Sequence, residues 1–553
     1  MKIIEGGIVV KRKLLVSMIF MIALIYTTGG MVNASGETEK NDWLSLGKEQ
    51  YNAARTLFYQ EGNINGAESA LKKAGEFFSS VNEDNDRYYW LGQVALLKAK
   101  IRMDRDEEGA WRLLSESEEA TRKALYANKK AAEPHLLLGE ILWERRQKGF
   151  LSTVAYLPQA YLLLEKAVIL NPKDHTAQSS LAEYYIEAPM ILGGNPRRGI
   201  EILENLPTPG DRHEEFISAY RLGKAYALDG QKEKALASFQ HSLSIYKKAP
   251  LVEEKISKLL AEEKESNFYI SAFPILPLFY GSGTEIGGGV SLGYKKVYSY
   301  INGSYDLANN LFYYNFSSQL VFRRDFMAEI GYYRRKDMYH PGYIYQDGLG
   351  VQLLYYGLHN YLLLDVFKGE IGGDNDGSVP VNSLSVALKQ PFYQDWGKLV
   401  GLYMVFTTGL AGEESYSIAH VKLPLRYYDY GGLVYFGYIN QGEETNFYYT
   451  NPARGYGAGE EKGNYAVLLR LERSFPLFLY SKKPFLGMLQ GVVFFDIGSV
   501  ADEHTLNTTG LTWRKSAGAG LRARTPLMDF CLDLAVTEDL TVQPVLNFEF
   551  AMF

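Results

Sequence analysis

The chain has 553 residues, a length that predicts three or four domains of roughly 150 residues each. Its composition, with 46% hydrophobic and 22% charged residues, is that of a folded protein and excludes a disordered chain, a collagen and an all-helical membrane protein. The net charge of -6 gives no basic surface for nucleic acid, so no nucleic-acid partner is expected. The single cysteine excludes a disulfide framework and the usual multi-cysteine metal sites.

The N-terminus has the pattern of a secretory signal peptide. Three basic residues, Lys11–Lys13, precede a short apolar run, Leu14–Tyr26, and the small residues of Val32–Ala34 follow. The run is shorter than the roughly 20 apolar residues that a membrane-spanning helix needs, which disfavours the alternative of a membrane anchor. Residues 1–34 are therefore predicted to be a signal peptide that is cleaved after Ala34.

Residues 38–265 carry apolar residues at helical spacing and a repeated motif. The clearest copy consists of Leu222, Gly223 and Tyr226 on one predicted helix and Ala235 and Phe239 on the next. This pattern resembles the tetratricopeptide repeat, in which a small residue such as Gly223 lets the first helix approach the second. Tyr226 is expected to fill the gap between the helices, and Ala235 and Phe239 to supply the contacts from the second helix.

Four weaker copies of the motif begin near Trp43, Leu91, Leu138 and Leu181, and Leu251–Glu265 is predicted to be a final helix that seals the stack. A solenoid of such repeats presents an extended concave groove that suits peptides and partner proteins. We therefore predict a docking function for this domain. The alternative is that the repeats only space or cap the next domain.

After Glu265 the sequence changes to alternation between apolar and small or polar residues, in segments of about 10 residues separated by turn residues. Eleven such segments lie between about 284 and 450, and five more lie between Asn464 and Phe553. Residues 266–553 are therefore predicted to form a 16-stranded antiparallel transmembrane β-barrel whose outer face contacts outer-membrane lipid. A soluble sandwich is the competing interpretation. The predicted fold class is an α-helical solenoid followed by this barrel.

Four motifs follow one another in the C-terminal part, and their order is more specific than any one of them. They are Arg454-Gly455-Tyr456, then Leu471–Leu477, then Phe494–Val500, and finally Gly518–Arg522. Their order and spacing resemble the outer-membrane insertase and transporter superfamily of BamA, TamA, FhaC and the bacterial surface antigen barrels. The segment Pro277–Gly289 is also similar to the first barrel strand of that family. The family's usual periplasmic POTRA modules have no counterpart here, because the helical repeats occupy their place.

The resemblance implies that the loop carrying Arg454, Gly455 and Tyr456 folds back into the barrel. Strand alternation independently places the side chains of Glu472 and Asp496 on the inner face. A guanidinium with its fixed fork of donors suits two carboxylates that otherwise repel each other. We therefore predict that these five residues form a latch in the lumen.

The C-terminal strand carries the predicted signal by which the barrel assembly machinery recognises the protein. Phe548 and Phe550 lie on one face of this strand, whereas the terminal Phe553 has the opposite parity. The family's terminal aromatic residue usually lies in phase with those before it, so recognition is expected to use slightly different contacts.

The sequence offers no convincing catalytic or metal site. His340, His359, His420 and His504 have no serine at a recognisable spacing and are interpreted as loop or girdle residues. The segment Asp374–Gly377 could contribute ligands to calcium, but it is typical of an ordinary turn. We predict no enzymatic activity, no cofactor and no metal.

These observations predict an outer-membrane barrel protein with periplasmic docking repeats, which inserts or translocates polypeptides at the outer membrane. Its expected partners are outer-membrane lipid, client or partner polypeptides and the barrel assembly machinery. The alternative is a non-transporting anchor or scaffold that presents the repeat domain to an envelope complex.

Overall fold

The structure is a computed structural model, and helices form its N-terminal half while one large sheet forms its C-terminal half. It describes residues 37–189, 193–261, 268–275, 285–294, 297–306, 311–323, 326–336, 345–356, 360–372, 378–395, 398–441, 449–450, 452–454, 456, 462–502, 511–524 and 528–550. The predicted signal peptide, residues 1–34, lies outside these residues.

Within residues 37–189 and 193–261, helices follow one another without interruption by strands. They are α1 (Glu37–Tyr59), α2 (Ile64–Ser79), α3 (Asp84–Arg102), α4 (Glu107–Ala127), α5 (Ala132–Arg145), α6 (Phe150–Leu170), α7 (His175–Glu187), α8 (Pro196–Glu204), α9 (Arg212–Leu228), α10 (Lys232–Ile245) and α11 (Pro250–Ala261). Helices α1 to α10 pack as five successive hairpins. The predicted helical repeat fold is confirmed, since the five hairpins coincide with the five copies of the motif.

The fifth hairpin shows why the motif needs a small residue. A Cβ atom added to Gly223 on α9 would lie 2.5 Å from Cδ1 of Phe239 on α10, so only glycine permits this approach. Ala235 and Phe239 are fully buried at 0% and 1% exposure, and Tyr226 is buried beside them. Leu222 packs against the same apolar cluster from its rim.

The first and fifth hairpins also contact each other. Nη2 of Arg55 on α1 lies 2.6 Å from Oδ2 of Asp211. The ring of Tyr59 lies 4.8 Å from the ring of His213 and 6.0 Å from that of Phe216. The stack of repeats therefore closes on itself at this point instead of presenting a groove that is open along its whole length.

Charged side chains on, or directly after, the first helices of the third to fifth repeats pair with one another. Arg221 and Lys224 on α9 contact Glu183 on α7, at 2.5 Å and 3.0 Å. Arg146 lies 2.7 Å from Glu187. These cations and carboxylates pair with one another within the domain, so the patch carries no strong single-sign charge.

The contact between the first and fifth hairpins predicts a sensitivity to acid. Burial, with the charge of nearby Arg55, lowers the pKa of His213 to about 3, whereas an unfolded histidine titrates near 6.5. The unfolded chain therefore binds a proton that the folded domain rejects, and stability is lost as the pH falls below about 6.5. Between pH 7 and pH 5 we expect a loss of about 1–2 kcal/mol for the helical domain.

Thermal unfolding of the full-length protein, followed by the helical circular dichroism signal at pH 7 and pH 5, measures this effect. The variant His213→Gln has no proton to bind at this position and serves as the control. An equal loss of stability in the variant and the parent would show that other groups are responsible.

In the C-terminal half, the described residues form one antiparallel sheet of sixteen strands, most of which pair with their neighbours in the sequence. The strands are β1 (Phe268–Ile275), β2 (Glu285–Tyr294), β3 (Val297–Asp306), β4 (Leu311–Arg323), β5 (Phe326–Lys336), β6 (Tyr345–Tyr356), β7 (Tyr361–Gly372), β8 (Ser378–Asp395), β9 (Lys398–Ala411), β10 (Glu414–Tyr427), β11 (Tyr430–Gln441), β14 (Tyr465–Pro476), β15 (Leu489–Ala501), β16 (Arg514–Arg524), β17 (Met528–Thr537) and β18 (Val542–Phe550). Two short strands, β12 (Tyr449–Thr450) and β13 (Lys462–Gly463), form a separate ribbon between β11 and β14. The predicted number of sixteen strands is confirmed.

The position predicted for the first strand is wrong. Ten described sheet strands, not eleven, lie between residues 284 and 450, and the eleventh is β1 at Phe268–Ile275. Gly287–Gly289 consequently belongs to β2, and Pro277–Tyr280 lies outside the described residues. The sequence did not reveal β1 for two reasons. The segment is apolar at both parities, so it shows no alternation, and it contains Pro274, which normally argues against a strand that is not at an edge. In the structure β1 is the first strand of the sheet, where this proline is tolerated.

The strands separate an apolar face from an inner face, as β17 shows. Leu532, Leu534 and Val536 are exposed, whereas Asp533 and Ala535 between them are buried. In the part of the chain that the structure describes, β1 and β18 end the strand order and share no ladder. None of the described helices has the length and apolar character that crossing a membrane requires.

The two ends of the sheet differ in their connections. The helical domain enters at the end where the strands β10 and β11 are joined by a short turn, and Arg426 beside this turn lies 3.5 Å from Glu165 of α6. The connection between β11 and β14, residues 442–464, belongs to the opposite end and is much longer. An even number of strands returns the chain to the end from which it started.

Candidate functional site

Arg454 lies in the connection between β11 and β14, which folds back against the inner face of the sheet. Its side chain is 5% exposed, and its Nε and Nη2 donate to Oδ2 and Oδ1 of Asp496 at 2.9 Å and 3.0 Å. The backbone N–H of Arg454 also donates to Asp496, at 3.1 Å. The geometry is bidentate, which fixes the orientation of the guanidinium as well as its position.

The remaining nitrogen of Arg454 reaches a carboxylate that is not among the residues predicted for the latch. Nη1 donates to Oδ2 of Asp533 on β17 at 2.6 Å. The alternation of β17 already places Asp533 on the inner face between two outward leucines, so parity was the signal that could have identified it. Spacing alone could not show which inward carboxylate the returning arginine meets.

Glu472 has a different principal partner from the one predicted. Arg522 on β16 donates to both oxygens of Glu472 at 2.7 Å, whereas Nη2 of Arg454 lies 3.7 Å from Oε2 of Glu472. Arg470 on β14 contacts the oxygens of Asp496 at 3.3 Å.

Three guanidinium groups therefore meet three carboxylates in one cluster, which we call the charge cluster. Its members are Arg454, Arg470, Arg522, Glu472, Asp496 and Asp533. The formal charges cancel, which makes burial of these groups tolerable. Because the formal charges cancel only when all six members are present, removal of one member leaves the cluster with a net buried charge.

Two glycines of β16 make room for the charge cluster. The ring of Phe494 lies against the guanidinium, with Cζ of Arg454 3.4 Å from the ring centroid. A Cβ atom on Gly518 would lie 2.6 Å from Cζ of Phe494, and one on Gly520 would overlap Oδ1 of Asp533. The Gly518–Arg522 motif thus provides the space that the ring and the carboxylate occupy.

The returning connection is held at further points besides Arg454. The hydroxyl of Tyr456 donates to the backbone oxygen of Lys515 at 2.8 Å. The hydroxyl of Tyr449 on β12 donates to the backbone oxygen of Ala419 at 3.2 Å and contacts His420. Gly455 lies outside the described residues.

The other predicted residues add no chemistry to this cluster. His420 packs between Tyr435 and Tyr449. His340, His359, His504, Asp374–Gly377 and Phe553 lie outside the described residues. Phe548 and Phe550 belong to β18. Among the described residues, no three His, Cys, Asp or Glu side chains gather as metal ligands would.

Comparison with protein families identifies the region that contains the charge cluster. Residues 379–552 match the Omp85 superfamily domain. All six members of the charge cluster lie within this Omp85 region. The match bears out the predicted resemblance of the C-terminal half to the superfamily.

Solved structures resemble each half of the chain. BamA from Haemophilus ducreyi, lacking POTRA domains 1–3, is 14% identical, with 52% of this chain and 70% of that chain covered and a TM-score of 0.36. A thermophilic TPR protein of Thermus thermophilus is 17% identical, with 39% of this chain and 99% of that chain covered and a TM-score of 0.28. No curated protein matches the chain significantly in sequence.

Proposed function

We propose that the protein inserts or translocates polypeptides at the outer membrane, with the helical repeats on the periplasmic side as the docking domain. The observation that carries this proposal is the charge cluster in the Omp85 region. It fastens the returning connection to strands β14 to β17, next to the terminal strand β18. Such a fastening keeps one side of the sheet rigid, while the first and last strands, β1 and β18, share no ladder in the described structure and stay free to admit a client strand.

The direction of the strands supports the periplasmic position of the repeats. The helical domain enters at the end of the sheet with the short β10–β11 turn, and in outer-membrane barrels short turns face the periplasm. The signal peptide proposed for residues 1–34 supplies the export that this location requires. The barrel assembly machinery is the proposed partner for insertion of the protein itself.

No catalytic step is part of the proposal. Nucleotides are not available outside the inner membrane, so the binding and folding of the client must supply the free energy. Apolar outward residues such as Leu532 and Leu534 provide the surface that contacts lipid.

The second candidate is a scaffold whose sheet anchors the repeat domain for an envelope complex. The contact of Arg55 with Asp211 favours it, because closure of the repeat stack narrows the groove that a client would enter. A scaffold predicts binding of partner proteins to the repeats without any contact between a client and the strands.

Site-specific photocross-linking in living cells separates the two candidates. A photoreactive residue at Ser271 on β1 is expected to give adducts with client polypeptides if the first strand takes part in insertion. The same residue at Ile330 on β5, which faces outward at 54% exposure, is the matched control and is expected to give none. Equal adducts at both positions, or none at Ser271, would contradict insertion and favour the scaffold.

A further inference from the structure

The connection between β14 and β15, residues 477–488, is unusual for its end of the sheet. It includes a short helical turn, α12 (Pro484–Gly487), and it lies against helix α6 of the repeat domain. The turn between β10 and β11 at the same end has two residues. Two residues are enough to join neighbouring strands at this end of the sheet, so the extra residues of the 477–488 connection serve its contact with the repeats.

Leu479 inserts into the helical domain. Its side chain is 6% exposed. It belongs to an apolar cluster whose other members come from α4, α5 and α6, namely Leu125, Leu138, Leu142, Ala160, Leu162 and Leu163. Full burial of a leucine contributes roughly 1.5–3 kcal/mol relative to an exposed one, so this residue is an anchor.

The residues beside the anchor are bound mainly through their backbone. Nε2 of Gln159 donates to the backbone oxygens of Leu479 and Ser481 at 2.7 Å and 3.2 Å. Nη2 of Arg122 donates to the oxygen of Ser481 at 3.0 Å, and its Nη1 donates to the oxygen of Tyr480. Backbone carbonyls are common to all sequences, and residues 478–481 form a turn closed by the Ser481 N–H donating to the Phe478 oxygen at 2.8 Å. These donors therefore select a turn by its backbone and not by one particular sequence.

The side chains that make these contacts are held in advance. Arg122 donates to Glu118 at 2.6 Å, and Glu118 in turn contacts Arg145 at 2.8 Å. His135 is fully buried, and its Nε2 lies 2.9 Å from the hydroxyl of Tyr480. This side-chain partner gives the site a preference for a tyrosine beside the apolar anchor.

Gln159 has a hydrogen-bond acceptor that the bound segment leaves unpaired. Its side chain is fully buried, and its Oε1 has no hydrogen-bond partner within the described residues. A Cβ atom on Gly487 would overlap Cδ of this glutamine, so the segment fits here only because it has glycine at that position. A ligand with a backbone N–H at this point would satisfy the acceptor.

A cavity of about 540 Å³ adjoins the bound segment. Its lining includes Leu162, Lys166 and Ile169 of α6 on one side and Pro476 and Gln490 on the other. The site therefore has room for the chain that flanks a bound turn.

We propose that Arg122, His135 and Gln159 form a binding site for the turn of a β-hairpin, and that residues 477–488 occupy it in the resting protein. A client barrel polypeptide brings periplasmic turns of the same chemistry, and such a turn displaces the protein's own. This inference rests on the proposed function and names its substrate class as β-hairpins of outer-membrane polypeptides. Displacement acts directly on β14 and β15, the strands that carry Glu472 and Asp496 of the charge cluster.

Photocross-linking of a defined probe to the purified full-length protein tests the site. The probe is a biotinylated peptide with the sequence of residues 474–491, closed into a hairpin by a disulfide between added terminal cysteines. A photoreactive residue replaces Leu162, which lines the cavity. The variant Leu479→Asp with Tyr480→Ala vacates the site, and it is expected to raise the cross-linked yield roughly tenfold, because a tethered turn competes at millimolar effective concentration.

Addition of Arg122→Ala and Gln159→Leu to the vacated variant is expected to return the yield to background. Lys123→Ala, which changes an exposed neighbour on α4, is the matched control and should leave the yield high. Two results would overturn the proposal: no cross-link in the vacated variant, or a cross-linked yield that stays unchanged when Arg122 and Gln159 are also replaced. Because the probe is a peptide, the result does not depend on client adducts at Ser271, so failure of the site and failure of the insertion function are distinguishable.

Discussion

Replacement of Arg454 by alanine is expected to destabilise the folded sheet by about 3–5 kcal/mol, the usual cost of removing one partner from a buried ion pair. The loss is large because Asp533 then has no cation within reach among the described residues, while Asp496 keeps only Arg470. Heat-modifiability on gels and the temperature at which the folded form disappears measure the effect. Arg454→Lys is expected to rescue poorly, since an ammonium cannot donate to both carboxylates with the same geometry.

Arg514→Ala is the matched control for this change. Arg514 also pairs with a carboxylate, Glu538, but the two side chains are 40% and 38% exposed, and exposed pairs contribute only about 0–1 kcal/mol. In a double-mutant cycle, Arg454→Ala and Asp496→Ala are expected to be strongly non-additive. Additive losses, or normal heat-modifiability of Arg454→Ala, would show that the charge cluster does not hold the connection in place.

Replacement of Phe239 by alanine is expected to lower the free energy of unfolding of the helical domain by about 3–5 kcal/mol. The ring is 1% exposed and fills the space that Gly223 leaves between α9 and α10, so truncation leaves a cavity that rigid helices cannot close. Native-state hydrogen exchange of the full-length protein, analysed for peptides of these two helices, measures the loss.

The neighbouring Gln240 is exposed on the same helix and provides the control. Gln240→Ala is expected to change the exchange by no more than about 0.5 kcal/mol, as surface substitutions usually do. Similar effects of the two substitutions would mean that the fifth hairpin does not depend on the packing of its motif.

The helical repeats could be predicted from the sequence because each hairpin is stabilised by neighbours along the chain. A small residue such as Gly223 and a large one such as Phe239 recur at spacings that local helix geometry imposes. The contact of α1 with α9 was not predictable, since it depends on how the small rotation between successive repeats accumulates. The residue types of Arg55 and Asp211 do not by themselves predict this contact.

The sheet and its charge cluster were partly predictable for a related reason. Strand alternation determines which face a residue occupies, and this was sufficient to place Glu472 and Asp496 on the inner face. The choice of partner depends on cross-strand register and on the exact return of the connection. Arg470 lies opposite Asp496 in the ladder between β14 and β15, and Arg454 reaches across to Asp533, two strands further on.

The closure of the repeat stack constrains the order in which the domain is completed. Arg55 and Asp211 are 156 residues apart in the chain, whereas each hairpin joins helices that are adjacent in sequence. Local hairpins form early because short loops cost little entropy, and contacts of large sequence separation form late. During synthesis or export from the N-terminus, the Tyr59 ring on α1 therefore lacks its contacts with α9 until α9 has emerged. A chaperone that binds exposed aromatic side chains can bind this first helix for longer than any later one.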